Sequence, residues 1–357
     1  MTKREDFTAL HVAFIGSAGV PNRYGGFEAF LEHCGPAIAR RVSSVTVTCD
    51  ARMYRDQTPI FQGMRRIFVG VPANGTWSVL HDLLAFLRVF SSNSHILVLG
   101  VSGGPWFPLF RLLCSLTEKR LLVNVDGVEW QRSKFSGSRR WLLRVFDQLA
   151  QRCSHTVIYD NAALQRFLTP IGASKGRLIA YSGDHVLRLP QLQPEPGTAL
   201  TVCRIEPENN IDMLIEGALN SPLIRYTVVG NWNNSAYGKA LRARHAGNPR
   251  LALLDPIYEP QLLAHLRTCS ETYLHGHSVG GTNPSLVEML FYDGRILCYD
   301  VPFHRETAGD CAGYFRDAKE LAALLAAPIT QSVGRDAART QYSSDHIAQL
   351  YVDAMCT

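Results

Sequence analysis

Short apolar runs alternate with amphipathic helical patterns along nearly the whole of this 357-residue chain. That alternation constrains the fold more than any single motif, because it implies parallel sheets whose strands are joined by crossover helices. In the first half, strands are predicted at 11–15, 44–49, 67–71, 96–100, 121–125, 156–159 and 177–180. Helices are predicted between them at 28–41, 78–90, 106–116 and 139–152. A Pro-rich stretch at 189–197 breaks the pattern, and its three prolines read as an interdomain linker. The alternation then restarts, with strands at 199–204, 226–230, 251–254, 272–275 and 296–299. The matching helices fall at 211–219, 237–245, 261–268, 285–291 and 319–326, and one more closes the chain at 345–355. The expected fold class is α/β, with two Rossmann-like domains at 1–188 and 189–335. Their parallel sheets are expected to face a central cleft, where ligands of such sheets bind. Residues 336–357 form a last helical segment expected to pack back on the first domain.

The composition excludes several classes. With 46% hydrophobic and 19% charged residues, this is an ordinary globular chain. No apolar run is long enough to span a membrane, and the N-terminus lacks a signal-peptide pattern. Nine scattered cysteines without a Cys-x-x-Cys pair argue for reduced thiols and a cytoplasmic setting. The net charge of +5 is mild, and no basic stripe suits nucleic acid. Arg139, Arg140 and Arg144 cluster among Trp141, Leu142, Leu143 and Phe146. That pattern reads either as a solvated helix face or as a peripheral contact with anionic lipid headgroups.

Four segments are candidates for chemistry. In His275-Gly276-His277-Ser278-Val279-Gly280-Gly281-Thr282-Asn283-Pro284-Ser285-Leu286-Val287-Glu288, a strand end gives way to glycines and a helix start. Asn283 suits the N-cap and Pro284 the first helical position, so free N–H groups face Gly280 and Gly281, where an anion is favoured. Glu288, a turn further on, suits sugar hydroxyls. The first strand runs into Gly16-Ser17-Ala18-Gly19-Val20-Pro21-Asn22-Arg23-Tyr24-Gly25-Gly26, which is neither a dinucleotide fingerprint nor a P-loop. It offers a place for a diphosphate or sugar, or is a plain surface loop. Asp126-Gly127-Val128-Glu129-Trp130-Gln131-Arg132 closes a buried strand with acids and an indole that suit carbohydrate, although Arg132 or Lys134 could instead pair with the acids. Arg204 ends the first strand after the linker, and a guanidinium there suits two phosphate oxygens. His275 and His277 lack a third metal ligand nearby, and there is no Asp-x-Asp clamp, so no metal and no cofactor are expected.

Together these segments resemble glycosyltransferase family 4, retaining enzymes of GT-B fold, and within it the bacterial rhamnosyltransferase group. The resemblance rests on Arg23-Tyr24-Gly25-Gly26-Phe27-Glu28, the Asp126–Arg132 segment, Arg204 with Pro207-Glu208-Asn209-Asn210, and the Gly280–Glu288 signature. It spans roughly residues 11 to 315. It implies a C-terminal domain holding a nucleotide-diphospho-sugar of the dTDP-rhamnose kind, and an N-terminal domain holding a glycan or lipid-linked oligosaccharide acceptor. Arg204 then neutralises the diphosphate, Glu288 holds the ribose, and Asp126 and Glu129 contact the acceptor. The donor site is expected to draw on Gly16, Arg23, Gly25, Gly26, Arg204, Asn209, His277, Gly280, Gly281, Thr282, Asn283, Ser285 and Glu288. The pattern departs in three places: Gly280 stands where a first Glu is expected, Asn209 where a Lys is expected, and Ser278 where the closer group has Glu. Those departures keep a second reading open, a catalytically weakened sugar-nucleotide or glycan-binding protein. A nicotinamide-dependent oxidoreductase lacks the fingerprint it would need.

Overall fold

A computed structural model describes residues 10–23, 25–127, 130, 137–329 and 333–357. The chain forms two compact units. One runs to Ser182 and takes back Ser343–Thr357; the other is Gly183–Tyr342.

The first unit is built on β1 (His11–Ile15), β2 (Ser44–Asp50), β3 (Ile60–Phe61), β4 (Met64–Val69), β5 (His95–Leu99), β6 (Arg120–Asn124), β7 (Thr156–Tyr159) and β8 (Gly176–Leu178). They lie in the order β3-β4-β2-β1-β5-β6-β7-β8. All neighbours are parallel except the short β3–β4 hairpin, which the apolar pattern had not suggested because β3 is two residues long. Every residue of β5 is buried, the run-on hydrophobicity expected when helices cover both faces. One face packs on Phe30, Leu31 and Ile38 of the helix Gly26–Ala39 and on Ile347, Tyr351 and Val352 of the terminal helix Ser344–Cys356. Phe30 and Tyr351 meet ring to ring at 4.6 Å, and Asn124 donates to the Tyr351 hydroxyl at 2.9 Å.

The second unit contains β9 (Glu195–Val202), β10 (Arg225–Val229), β11 (Leu251–Leu254), β12 (Ser270–His275), β13 (Arg295–Tyr299) and β14 (Gly313–Phe315). Their order is β11-β10-β9-β12-β13-β14, all parallel. This is the doubly wound 3-2-1-4-5-6 arrangement of a dinucleotide-binding domain. Ile211, Leu214, Trp232, Leu274, Phe315 and Leu321 form its core.

One expectation fails here: β9 begins at Glu195, inside the stretch read as an unpaired linker. The strand accommodates Pro196 because its register against β12 shifts between Ser270 and Thr272. Gly197 takes a left-handed φ of 73° there, donating to the Glu271 carboxylate at 2.9 Å and accepting from Ile224 N–H at 2.7 Å. No described helix is long and apolar enough to cross a membrane.

Candidate functional site

In a doubly wound sheet the ligand crevice opens at the carboxyl ends of the two strands where the order reverses. In the second unit those strands are β9 and β12. Arg204 lies two residues beyond β9 and is exposed; among the described residues no carboxylate pairs with it. The loops leaving the two strands are clipped together by short polar side chains. Asn210 donates to Gly276 C=O at 2.8 Å, Asn209 Oδ1 meets His277 Nδ1 at 2.8 Å, and Ser278 donates to Glu208 C=O from both N–H and hydroxyl at 2.8 and 2.9 Å. Asn209 also donates to Arg204 C=O at 2.7 Å, which fixes the backbone that carries the guanidinium. Asn209 and Ser278, two of the three departures from the pattern the sequence resembles, are therefore both consumed in this clip. Gly280 has a φ of 133°, and a Cβ there would lie 3.2 Å from His277 Nε2, so glycine is required for the turn.

Asn283 caps the following helix as expected, accepting from Ser285 N–H at 3.1 Å and Ser285 Oγ at 2.8 Å. The helix itself is shorter than the sequence suggested: Pro284–Met289, six residues. Thr282 is buried just before it. Glu288 is held between two basic side chains, with one oxygen bonded to the Arg267 guanidinium and the other 3.3 Å from His185 Nε2. Burial opposes its charge, but Arg267 and then His185 outweigh that and hold the carboxyl at about 2. Arg267 is buried, and its pKa is raised because Glu288 and Tyr292 overcome desolvation. Sequence reasoning missed Arg267 and His185; nothing local marks them, since they come from the helix Pro260–Cys269 and the segment before β9.

His277 lies beyond the end of β12, so it does not share a strand face with His275. Their rings are 6.5 Å apart, and His275 packs edge-on against His304 at 4.6 Å. Burial pushes both buried rings toward neutrality, His275 well below the usual range and His304 to about 4. Among the described residues no group of His, Cys, Asp and Glu is arranged to hold a metal ion.

In the first unit the order reverses between β1 and β5. Gly16, with φ 89°, crosses so close to β5 that a Cβ would sit 2.5 Å from Leu99 C=O. The glycine loop then folds onto its own carboxylate. Glu28 is buried and accepts from Ala18 N–H at 2.6 Å, and it also bonds the N–H groups of Gly25 and Glu28 itself. Burial raises its pKa; those backbone bonds oppose the shift, and nearby Asp126 adds to it. Gly25 and Gly26 lie beside this group, Gly25 next to the Glu28 carboxylate and Gly26 against the Tyr181 hydroxyl. Tyr181 in turn donates to Asp126 Oδ1 at 3.4 Å. Asp126 has a left-handed φ of 58°, rare for a non-glycine, and its N–H donates to Asn124 Oδ1 at 3.0 Å. Glu28 closed the family-like motif, yet its role was not legible, because the sequence does not show which donors a carboxylate will meet.

Arg23 donates to Met53 C=O at 3.2 Å, with its guanidinium 5.4 Å from the Tyr54 ring. Glu129 and residues 131–136 lie outside the described residues. The Trp130 indole is not an open sugar platform: Arg144 lies 5.3 Å from its ring centre, Phe167 packs edge-on, and its N–H donates to Asp147 at 3.3 Å.

A domain of unknown function, DUF1972, matches residues 9–184. No curated protein matches the sequence. Among solved structures the chain is similar to a sucrose-phosphate synthase from Thermosynechococcus elongatus, at 13% identity and TM-score 0.69, with 97% of this chain and 94% of that one covered. It is also similar to HepE of Anabaena in complex with UDP, at 14% identity and TM-score 0.64, covering 96% and 95%. A third is the lipopolysaccharide outer core galactosyltransferase WaaB, at 11% identity and TM-score 0.65, covering 97% and 99%. At these identities the likeness concerns the fold, which is the GT-B-like architecture of two Rossmann-like units.

Proposed function

We propose that this protein transfers a sugar, a deoxyhexose such as rhamnose, from a nucleotide-diphospho-sugar to a glycan acceptor of bacterial surface polysaccharide synthesis, with retention. The observation that carries the reading is the β9/β12 switch point, where an exposed Arg204 stands over clipped loops and a glycine turn leads to Glu288. UDP is bound in the solved HepE structure and WaaB is a galactosyltransferase, which supports a sugar nucleotide as the ligand class.

In this reading the barrier is departure of the nucleoside diphosphate from the anomeric carbon. Arg204 and the N–H groups around Gly280 to Asn283 stabilise the charge that develops there. The leaving phosphate accepts the acceptor proton on the same face, so no side-chain base is required. Glu288 accepts ribose hydroxyls through lone pairs left over from Arg267 and His185. Asp126 and Glu129 contact the acceptor, a lipid-linked oligosaccharide at the cytoplasmic face. The reaction proceeds without metal.

A thermal-shift panel of UDP-, GDP- and dTDP-sugars tests the donor class. A ligand at 100 times its Kd stabilises by about 2.7 kcal/mol, and the dTDP-deoxyhexose should give the largest shift. Absence of any shift with every nucleotide-sugar would refute the reading. The clip made by Asn209 and Ser278 favours a second reading, a binding module. Stabilisation by a donor without release of nucleoside diphosphate in the presence of acceptor glycans would select it.

A further inference from the structure

Three helices of the first unit, Ser78–Val89, Phe107–Leu116 and Gly137–Cys153, each lead from one parallel strand to the next in the same direction across the sheet. Right-handed crossovers place all three on one face. They pack side by side: Phe86 and Phe110 stack at 3.9 Å, and Gly104, just before the second helix, lies so tightly on Phe146 of the third that no side chain fits.

The solvent side of this layer is not an ordinary solvated surface. Leu116 is 73% exposed, Trp141 66%, Leu112 56% and Leu87 53%. Arg139, Arg140, Arg144 and Arg152 are exposed among them. The acids of these helices are Asp82 and Asp147, and both are turned inward. Asp82 is fully buried and accepts from Ser102 Oγ at 2.7 Å; Asp147 accepts from the Trp130 indole and from Gln151. The acids within the three helices are thus internal, and with exposed Glu118 at the edge, two residues past Leu116, set against four exposed arginines, the face is apolar with a net positive charge.

We propose that this three-helix face docks on an anionic lipid bilayer. Arginines meet headgroup phosphates, while an indole and leucines enter the headgroup–acyl boundary; a neutral membrane would satisfy only the apolar half. The inference rests on this face alone and not on the transferase reading.

The full chain should co-sediment with phosphatidylglycerol vesicles at low salt, bind phosphatidylcholine vesicles far more weakly, and be released as salt screens the arginines. Each arginine near an anionic surface is worth roughly fivefold in partitioning, so the Arg139→Glu, Arg140→Glu, Arg144→Glu variant should lose roughly 100-fold or more. Leu112→Ser with Leu116→Ser and Trp141→Ser should also lose binding, with less dependence on salt. The thermal shift with sugar nucleotides should not change in either variant, since no substituted residue belongs to the second unit, which separates this test from that of the donor site. Failure of the native protein to bind phosphatidylglycerol at any salt would overturn the proposal, as would equal binding to neutral vesicles. So would a dimer in sedimentation velocity that the same substitutions dissolve in the absence of lipid, since a second copy would then cover the face.

Discussion

Replacing Glu288 by Gln removes one charge and almost no volume, and so isolates the ion pair beneath the candidate donor site. The carboxyl sits at about 2 against an ordinary 4.5, a difference that corresponds to about 3 kcal/mol in favour of the folded state. The group's folded pKa is depressed, so this stability is fully present above the ordinary value near 4.5 and is lost as pH falls toward about 2. Removing the charge also leaves the buried Arg267 without its counter-ion, a loss typically of about 3–5 kcal/mol. Glu288→Gln should therefore destabilise the second unit by about 3 kcal/mol at pH 7. With a urea slope of about 2 kcal/mol/M, its midpoint should fall by roughly 1.5 M. The gap between native and variant should narrow steadily from pH 5 to pH 2.5. Urea titrations followed by fluorescence of Trp232, which lies in the core of that unit, report the transition. A loss of donor affinity in a Glu288 variant therefore comes together with a cost to folding. A midpoint unchanged at pH 7, or a gap that does not close in acid, would refute the ion-pair argument. Donor affinity should be compared below the unfolding range, where loss of one charged acceptor is worth about 1.5–3 kcal/mol.

Arg204→Ala should reduce turnover far more than stability, because the exposed guanidinium has no carboxylate partner among the described residues and is needed most when the diphosphate leaves; Arg204→Lys should restore it only in part, in steady-state kinetics. Gly16→Ala should cost about 2–4 kcal/mol in chemical denaturation, since a Cβ would press on Leu99 C=O at 2.5 Å in a left-handed conformation. Glu28→Ala, which strands the N–H groups of Ala18 and Gly25, should cost about 1–3 kcal/mol, and Glu28→Gln less, because the amide keeps one acceptor oxygen for those donors. The carboxyl's raised pKa means its own contribution is present below the ordinary glutamate value and is lost as pH rises past it. Transfer activity should survive EDTA, and complete loss restored by magnesium or manganese would count against the proposed mechanism.

The alternating strands and helices were legible in the residues because periodicity is a local property: a buried parallel strand such as His95–Leu99 announces itself wherever it lies. The N-cap at Asn283 was legible for the same reason, since it depends on the backbone within a few residues, whereas the positive φ that reserves position 280 for glycine appears only in the structure. Pro196 shows the limit of local rules, because the bulge that admits it into β9 is made jointly with β12. What each functional side chain meets was settled only by tertiary structure. Glu28 turns out to fill its own glycine loop, Trp130 is covered by Arg144, and Glu288 is bound by Arg267 and His185. The same holds for the exposed apolar and positive face, where inward rotation of Asp82 and Asp147 decides the charge. Pattern within one segment dictates which way the chain runs; partners drawn from distant segments exist only once the strands have ordered themselves side by side.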